Sequence, residues 1–166
     1  KTKATSKNVE TGATTETEYT YENGVLVSAK STDANGNITE TNYIYGGLAT
    51  NAKVTKPSGY WSTYTYEYEN GVKVSAHREN SDKSTVDTEY VYNKGVLEKA
   101  TETSSSGTVT EYTYEKGRAI SAIQTNASGS IYNYFYEEYG ANGQLIKYTK
   151  RKAVENKSMA FQLLCY

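Results

Sequence analysis

The 166-residue chain contains one histidine, one cysteine, one methionine, one tryptophan and one proline. So few imidazole and thiol groups nearly exclude a catalytic or metal centre built from them. Neither sign of charge is in excess, with 18 Lys+Arg against 19 Asp+Glu. That balance excludes a nucleic-acid reader acting through bulk charge, and it excludes an acidic tail. No apolar run approaches the length of a membrane-crossing helix, and the opening Lys1-Thr2-Lys3-Ala4-Thr5-Ser6 lacks the apolar core of a signal peptide. Aliphatic side chains are scarce too: Leu, Ile, Val and Phe number 25 in all. Such scarcity marks disorder when it comes with high net charge and few aromatics, and this chain has neither.

What fills the sequence instead is Tyr (18), Thr (23) and Ser (15). Tyr, Thr and Val are strand formers. Heavy hydroxyl use with almost no Cys or Met points to an extracellular or cell-surface setting. The lone Cys165 reads as a free thiol in a C-terminal strand or as a partner for a second chain.

A Tyr-x-Tyr pair followed closely by Gly recurs six times, and its second Tyr falls at positions 21, 45, 68, 92, 114 and 136. After the Gly, a short run ends in a small residue, as in Val25–Ala29, Val72–Ala76, Val96–Ala100 and Arg118–Ala122. A second turn signal sits in each repeat: Asp33-Ala34-Asn35-Gly36, Pro57-Ser58-Gly59, Asn80-Ser81-Asp82, Ser104-Ser105-Ser106-Gly107 and Asn126-Ala127-Ser128-Gly129. From that Gly to the second Tyr is 9 residues in copies two and three and 7 in copies five and six. A strand has a side-chain period of two, so a change of two keeps every side chain on its face. The pattern predicts an all-β fold: an antiparallel meander of about six tandem β-hairpin repeats, about 12 strands, in one domain over residues 1–166. The repeats cover about 11–149, and 150–166 is a non-repeat strand or tail.

The turn after each Tyr pair has two readings. A two-residue Asn23-Gly24 turn would set Tyr21 opposite Leu26. A three-residue loop with Gly24 left-handed would set Tyr21 opposite Val25 and Tyr19 opposite Val27. The second is favoured, because Lys94 and Lys116 precede Gly in other copies and resist a positive φ. Copy two carries Gly46-Gly47, which suits a two-residue turn pairing Tyr45 with Leu48.

Tyr and Val/Ala then share one sheet face. The other face carries Thr20, Glu22, Ser28, Lys30, Thr65 and Thr113, together with Leu26, Ile44, Trp61, Val91, Leu97 and Phe135. A tyrosine-rich face calls for a cover: a curved sheet stacked on another chain, or closure as a barrel or sandwich. The rings serve either as core or as an exposed platform for sugars or surfaces.

Trp61, Tyr60 and Phe135 are the candidate binding aromatics. The most apolar stretch is Ala160–Tyr166, whose Phe161, Leu163, Leu164, Cys165 and Tyr166 are candidate assembly residues. They form either a terminal strand that caps the core or a strand donated to a neighbouring subunit. His77 lacks a second ligand candidate, and Glu67/Glu69 and Glu137-Glu138 fall beside turns or on the outward face. No catalytic residue, metal ligand or cofactor is expected.

Tyr139-Gly140-Ala141-Asn142-Gly143-Gln144-Leu145 and Asp33-Ala34-Asn35-Gly36-Asn37-Ile38 resemble the Tyr-Asp (YD) repeat units of bacterial Rhs-type surface and toxin proteins. The resemblance covers most of residues 11–149, although the Asp that follows Tyr in that family is absent from all six copies. It implies a bacterial surface or secreted context, strand-turn-strand units in a long curved sheet, and a fragment of a toxin shell as one reading. Repeat, composition and open strand edges together lead to the expectation of a non-enzymatic structural protein outside the cell. Its partners would be copies of itself or a larger surface protein. The alternative is a glycan- or surface-binding module that uses exposed aromatics.

Overall fold

The computed structural model describes residues 2–7, 12–44, 46–140 and 145–153. Thirteen strands account for nearly all of them: β1 (Thr2–Lys7), β2 (Thr14–Glu22), β3 (Val25–Thr32), β4 (Ile38–Ile44), β5 (Leu48–Thr55), β6 (Trp61–Glu69), β7 (Val72–Asn80), β8 (Thr85–Asn93), β9 (Val96–Ser104), β10 (Val109–Glu115), β11 (Arg118–Thr125), β12 (Ile131–Tyr139) and β13 (Leu145–Lys152). They lie in one antiparallel sheet in chain order, from β1 to β13. Strands β2–β13 are the twelve strands of the six hairpins, and β1 adds one more by pairing Thr2–Lys7 with β2. Each strand touches only its sequence neighbours, so the sheet is a single open layer. Barrel or sandwich closure, the other expectation, does not occur among the described residues.

The turn after the Tyr pairs is not the three-residue loop that the sequence favoured. After the Tyr pairs, Glu22 pairs with Val25 and Tyr21 with Leu26, across a two-residue turn with Asn23 at φ 48° and Gly24 at φ 80°. The same turn places Lys94 at φ 49° and Lys116 at φ 51°. A left-handed lysine costs about 1–2 kcal/mol. That cost is outweighed because only this turn matches the twist of the strands it joins. In copy two, Ile44 pairs with Leu48, which leaves three positions between them; Tyr45 lies outside the described residues.

The three-residue loop instead belongs to the second turn of each repeat. There the Gly36 N–H donates to the Asp33 carbonyl at 3.0 Å, and the Asp33 N–H donates to the Asn37 carbonyl at 3.0 Å. The same pair of bonds recurs at Lys56/Tyr60, Asn80/Ser84, Ser104/Thr108 and Asn126/Ser130, with Lys83 left-handed where the other copies use Gly.

A β-bulge follows the turn after the Tyr pair in the first five copies. Val27, Thr50, Val74, Glu98 and Ile120 are skipped by the ladder. The extra residue restores parity, so Leu26 stands opposite Tyr21 and Ala29 opposite Tyr19 on the same face. Leu26 and Leu97 therefore lie on the tyrosine face and not the outward one, since Leu97 pairs with Tyr92.

The only buried apolar residues among those described are four alanines, Ala29, Ala52, Ala100 and Ala122. Their burial follows their flanks. Ala100 lies between Tyr90 and Tyr112, and Ala122 between Tyr112 and Tyr134; both are 2% exposed. Ala29 and Ala52 each have a tyrosine on one side and Thr41 on the other, and both are 9% exposed. A small residue lets the flanking rings lie over it, so burial is achieved sideways within one layer. Among the described residues the face is therefore half-buried without a second layer from the same chain; cover by another chain, the other expectation, is a matter of partners. Half-burying one ring of roughly 150–250 Å² contributes about 2–3 kcal/mol.

The difference of two residues between Tyr arms appears as register. Ala52 faces Tyr64 and Ala76 faces Thr88, each two positions before the first Tyr of its pair. In the shorter arms Ala100 and Ala122 face the first Tyr itself, Tyr112 and Tyr134. No side chain changes face.

Candidate functional site

The tyrosine face carries separate clusters of rings with cations set among them. Tyr64 and Tyr66 stack at 6.5 Å between ring centroids, Tyr112 and Tyr114 lie 6.4 Å apart, and Tyr134 and Tyr148 lie 6.1 Å apart. Lys73 is paired opposite Tyr68, where other copies carry Leu26 or Leu97. Its ammonium sits 4.5 Å from the Tyr90 ring and 5.3 Å from the Tyr66 ring. Lys150 stands where other copies carry alanine, opposite Tyr134. There its ammonium covers the rings of Tyr132 at 4.3 Å and Tyr134 at 5.1 Å.

Hydroxyls on this face find partners. Tyr112 donates to Glu102 Oε2 and Tyr134 to Gln124 Oε1, both at 3.1 Å along a cross-strand diagonal. Tyr68 donates to the Ala49 carbonyl at 2.9 Å, and Tyr139 donates to the Ala119 carbonyl. Burial raises the Tyr66, Tyr114 and Tyr136 phenols above their ordinary range. Burial raises Tyr112 furthest, with the adjacent Glu102 carboxylate adding to it. These phenols stay neutral donors at physiological pH.

The opposite face is mixed: Ile44, Val91, Ile123 and Phe135 stand exposed on it, and its polar residues are laid out in rows that cross the strands. One row runs Glu18, Lys30, Glu40, Lys53, Thr63, each directly opposite the next. Lys30 bridges Glu40 at 3.1 Å. The neighbouring row runs Thr20, Ser28, Asn42, Asn51, Thr65, and the Asn42 amide donates to the Asn51 carbonyl oxygen at 2.8 Å. Together the rows line an open cavity of about 630 Å³. Farther along, His77 Nδ1 meets Asp87 Oδ1 at 2.6 Å on the surface.

The three aromatics singled out from sequence are not brought together. Trp61 opens β6 on this mixed face, half-buried, with the Lys53 and Lys83 ammoniums each 5.7 Å from its ring. Tyr60 ends the preceding loop under the Lys56 ammonium at 5.2 Å. Phe135 is on the mixed face of β12, 45% exposed, with the Arg151 guanidinium at 5.8 Å. Six strand spacings, about 29 Å, separate the strand of Phe135 from that of Trp61. Phe161, Leu163, Leu164, Cys165 and Tyr166 lie outside the described residues.

Sequence reasoning missed Lys73, Lys150 and the Asn42–Asn51 pair. The first two could have been found by aligning the copies and asking which residue replaces the aliphatic or the alanine. Among the described residues, no group of three or more His, Cys, Asp or Glu side chains could hold a metal ion. No helix among them is long and apolar enough to cross a membrane. No protein-family model matches the chain, and no match to it is found among curated proteins.

Proposed function

We propose that the chain is a structural β-repeat module of the cell exterior, working by association and not by catalysis, with its tyrosine face as the surface that meets further copies of itself or a larger surface protein. The observation that carries this reading is the single layer. Rings such as Tyr21 and Tyr148 remain 47% and 55% exposed, and no other element packs on them among the described residues. Aromatic surface left open along one side of a sheet in this way suits contact with a partner. The sheet edges are less suited to joining copies. Among the described residues, β13 carries Lys150, Arg151 and Lys152 besides the Glu137-paired Lys147, and β1 carries Lys7 besides the Glu16-paired Lys3, so edge-to-edge contact would bring like charges together. The likeness to YD repeat units fits the same reading.

Size-exclusion chromatography with light scattering over a range of concentrations is the test. Species larger than the 18.4 kDa monomer, growing with concentration, are expected. A monomer at every concentration, unchanged by deletion of Met159–Tyr166, overturns the reading.

A further inference from the structure

We infer that the polar face over β3–β6 is a second, independent binding site, one that takes a neutral oligosaccharide with Trp61 at its rim. The cavity there combines hydrogen-bonding groups of both kinds at fixed positions. Lys30 and Glu40 are locked to each other across adjacent strands, as are Asn42 and Asn51. Each pair keeps donors and acceptors beyond those it spends on its partner. Such a set matches the vicinal hydroxyls of a sugar, each of which gives one hydrogen bond and accepts others.

Charge narrows the ligand class. The cavity's charged lining is Glu18, Lys30, Glu40 and Lys53, two of each sign, so it offers no net attraction to a polyanion. An aromatic neighbour completes the site. Lys53 belongs both to the cavity and to Trp61, since its ammonium lies 5.7 Å from the indole centroid. A pyranose entering from the β6 side would lay its C–H face on the indole while Lys53 and Lys83, whose ammoniums both lie 5.7 Å from the ring, turn to its hydroxyls. The register supports that placement, because Thr63, two residues beyond Trp61 on the same face, stands directly opposite Lys53.

Trp61 is the sole tryptophan, so its fluorescence reports this site alone. The intact chain is titrated with neutral hexasaccharides of glucose, in β-1,4 and α-1,4 linkage, and of N-acetylglucosamine, with a sulfated oligosaccharide as the anionic arm. A saturable change in Trp61 emission with at least one neutral sugar is expected. The Asn42→Ala/Asn51→Ala double variant is expected to weaken binding about tenfold, the size of one or two lost hydrogen bonds. Thr65→Val, which leaves the amide pair in place, supplies the same test by a smaller loss should the double variant fail to fold by circular dichroism. Ile123→Ala, on the same face but remote on β11, is expected to bind as the parent does. No saturable response to any neutral sugar, a response confined to the sulfated one, or a response untouched by the folded variants overturns the inference.

Discussion

Tyr68 donates its hydroxyl to the backbone carbonyl of Ala49 at 2.9 Å, beyond the point where the ladder between β5 and β6 stops at Asn51 and Thr65. The bulge at Thr50 has bent β5 away from β6 there, and the phenol reaches the carbonyl that the ladder leaves behind. Tyr139 makes the same bond to Ala119, the equivalent residue three positions before the buried alanine of its repeat. Tyr68, the second tyrosine of its pair, and Tyr139, three residues beyond the second tyrosine of the sixth pair, thus serve as fasteners between hairpins as well as packing rings.

Removing that hydroxyl tests its role. Tyr68→Phe keeps the ring and is expected to lower unfolding free energy by about 0.5–1.5 kcal/mol in urea titrations. Tyr21→Phe, at an exposed ring, is the control and is expected to change stability by less. Equal effects would reject the fastener.

Ala100 and Ala122 are the tightest points of the tyrosine face. Ala100→Leu forces Tyr90 and Tyr112 apart and is expected to cost about 1–3 kcal/mol. Ala76→Leu, between Tyr66 and Thr88, has more room and is expected to cost less. A thermal melt of the two variants side by side decides the order.

The left-handed lysines leave room for improvement. Lys94→Asn places a residue that tolerates positive φ at the first turn position, before Gly95. It is expected to raise stability by about 0.5–1 kcal/mol. A destabilised Lys94→Asn would show that the ammonium makes a contact worth more than the strain.

Alkali is the weak side of this fold. The phenols of Tyr66, Tyr112, Tyr114 and Tyr136 are held above the ordinary value of about 10, chiefly by burial. Below that value both folded and unfolded chains carry neutral phenols, and their contribution to stability is complete. Above it the unfolded chain ionises first, so stability falls as pH rises toward the folded values. Thermal melts are expected to be flat up to about pH 10 and to drop beyond it. The phenolate absorbance of the folded protein is expected to lag that of urea-unfolded protein. Coincident titration curves would contradict the burial of these rings.

Much of this architecture could be read before any coordinates. The Tyr-x-Tyr period located β2–β13, and the difference of two residues between arms correctly implied strands with faces kept. The turn chemistry was legible only as signals, not as types. Lys94 and Lys116 argued against a two-residue turn on local grounds, yet the twist of the flanking strands outweighed the strain of two residues. The bulges left no mark in composition, so Leu26 and Leu97 were assigned to the wrong face. The absence of a second layer was equally hidden. It depends on alanines such as Ala122 lying between two tyrosines, a relationship visible only once the register is known. As for the candidate sites, Trp61 was visible as a lone indole, but the Asn42–Asn51 pair depended on strand alignment.

The bulge that follows the turn after the Tyr pair in the first five copies makes the array a counting device. Because each of these hairpins restores its own parity, a hairpin can be copied, or an arm lengthened by a pair of residues, without turning the rest of the ribbon inside out. A lone insertion in an arm would expose rings on one side of the break and hide them on the other. Chains of this design can therefore grow or shrink only in even steps along their arms, and by whole hairpins along their length.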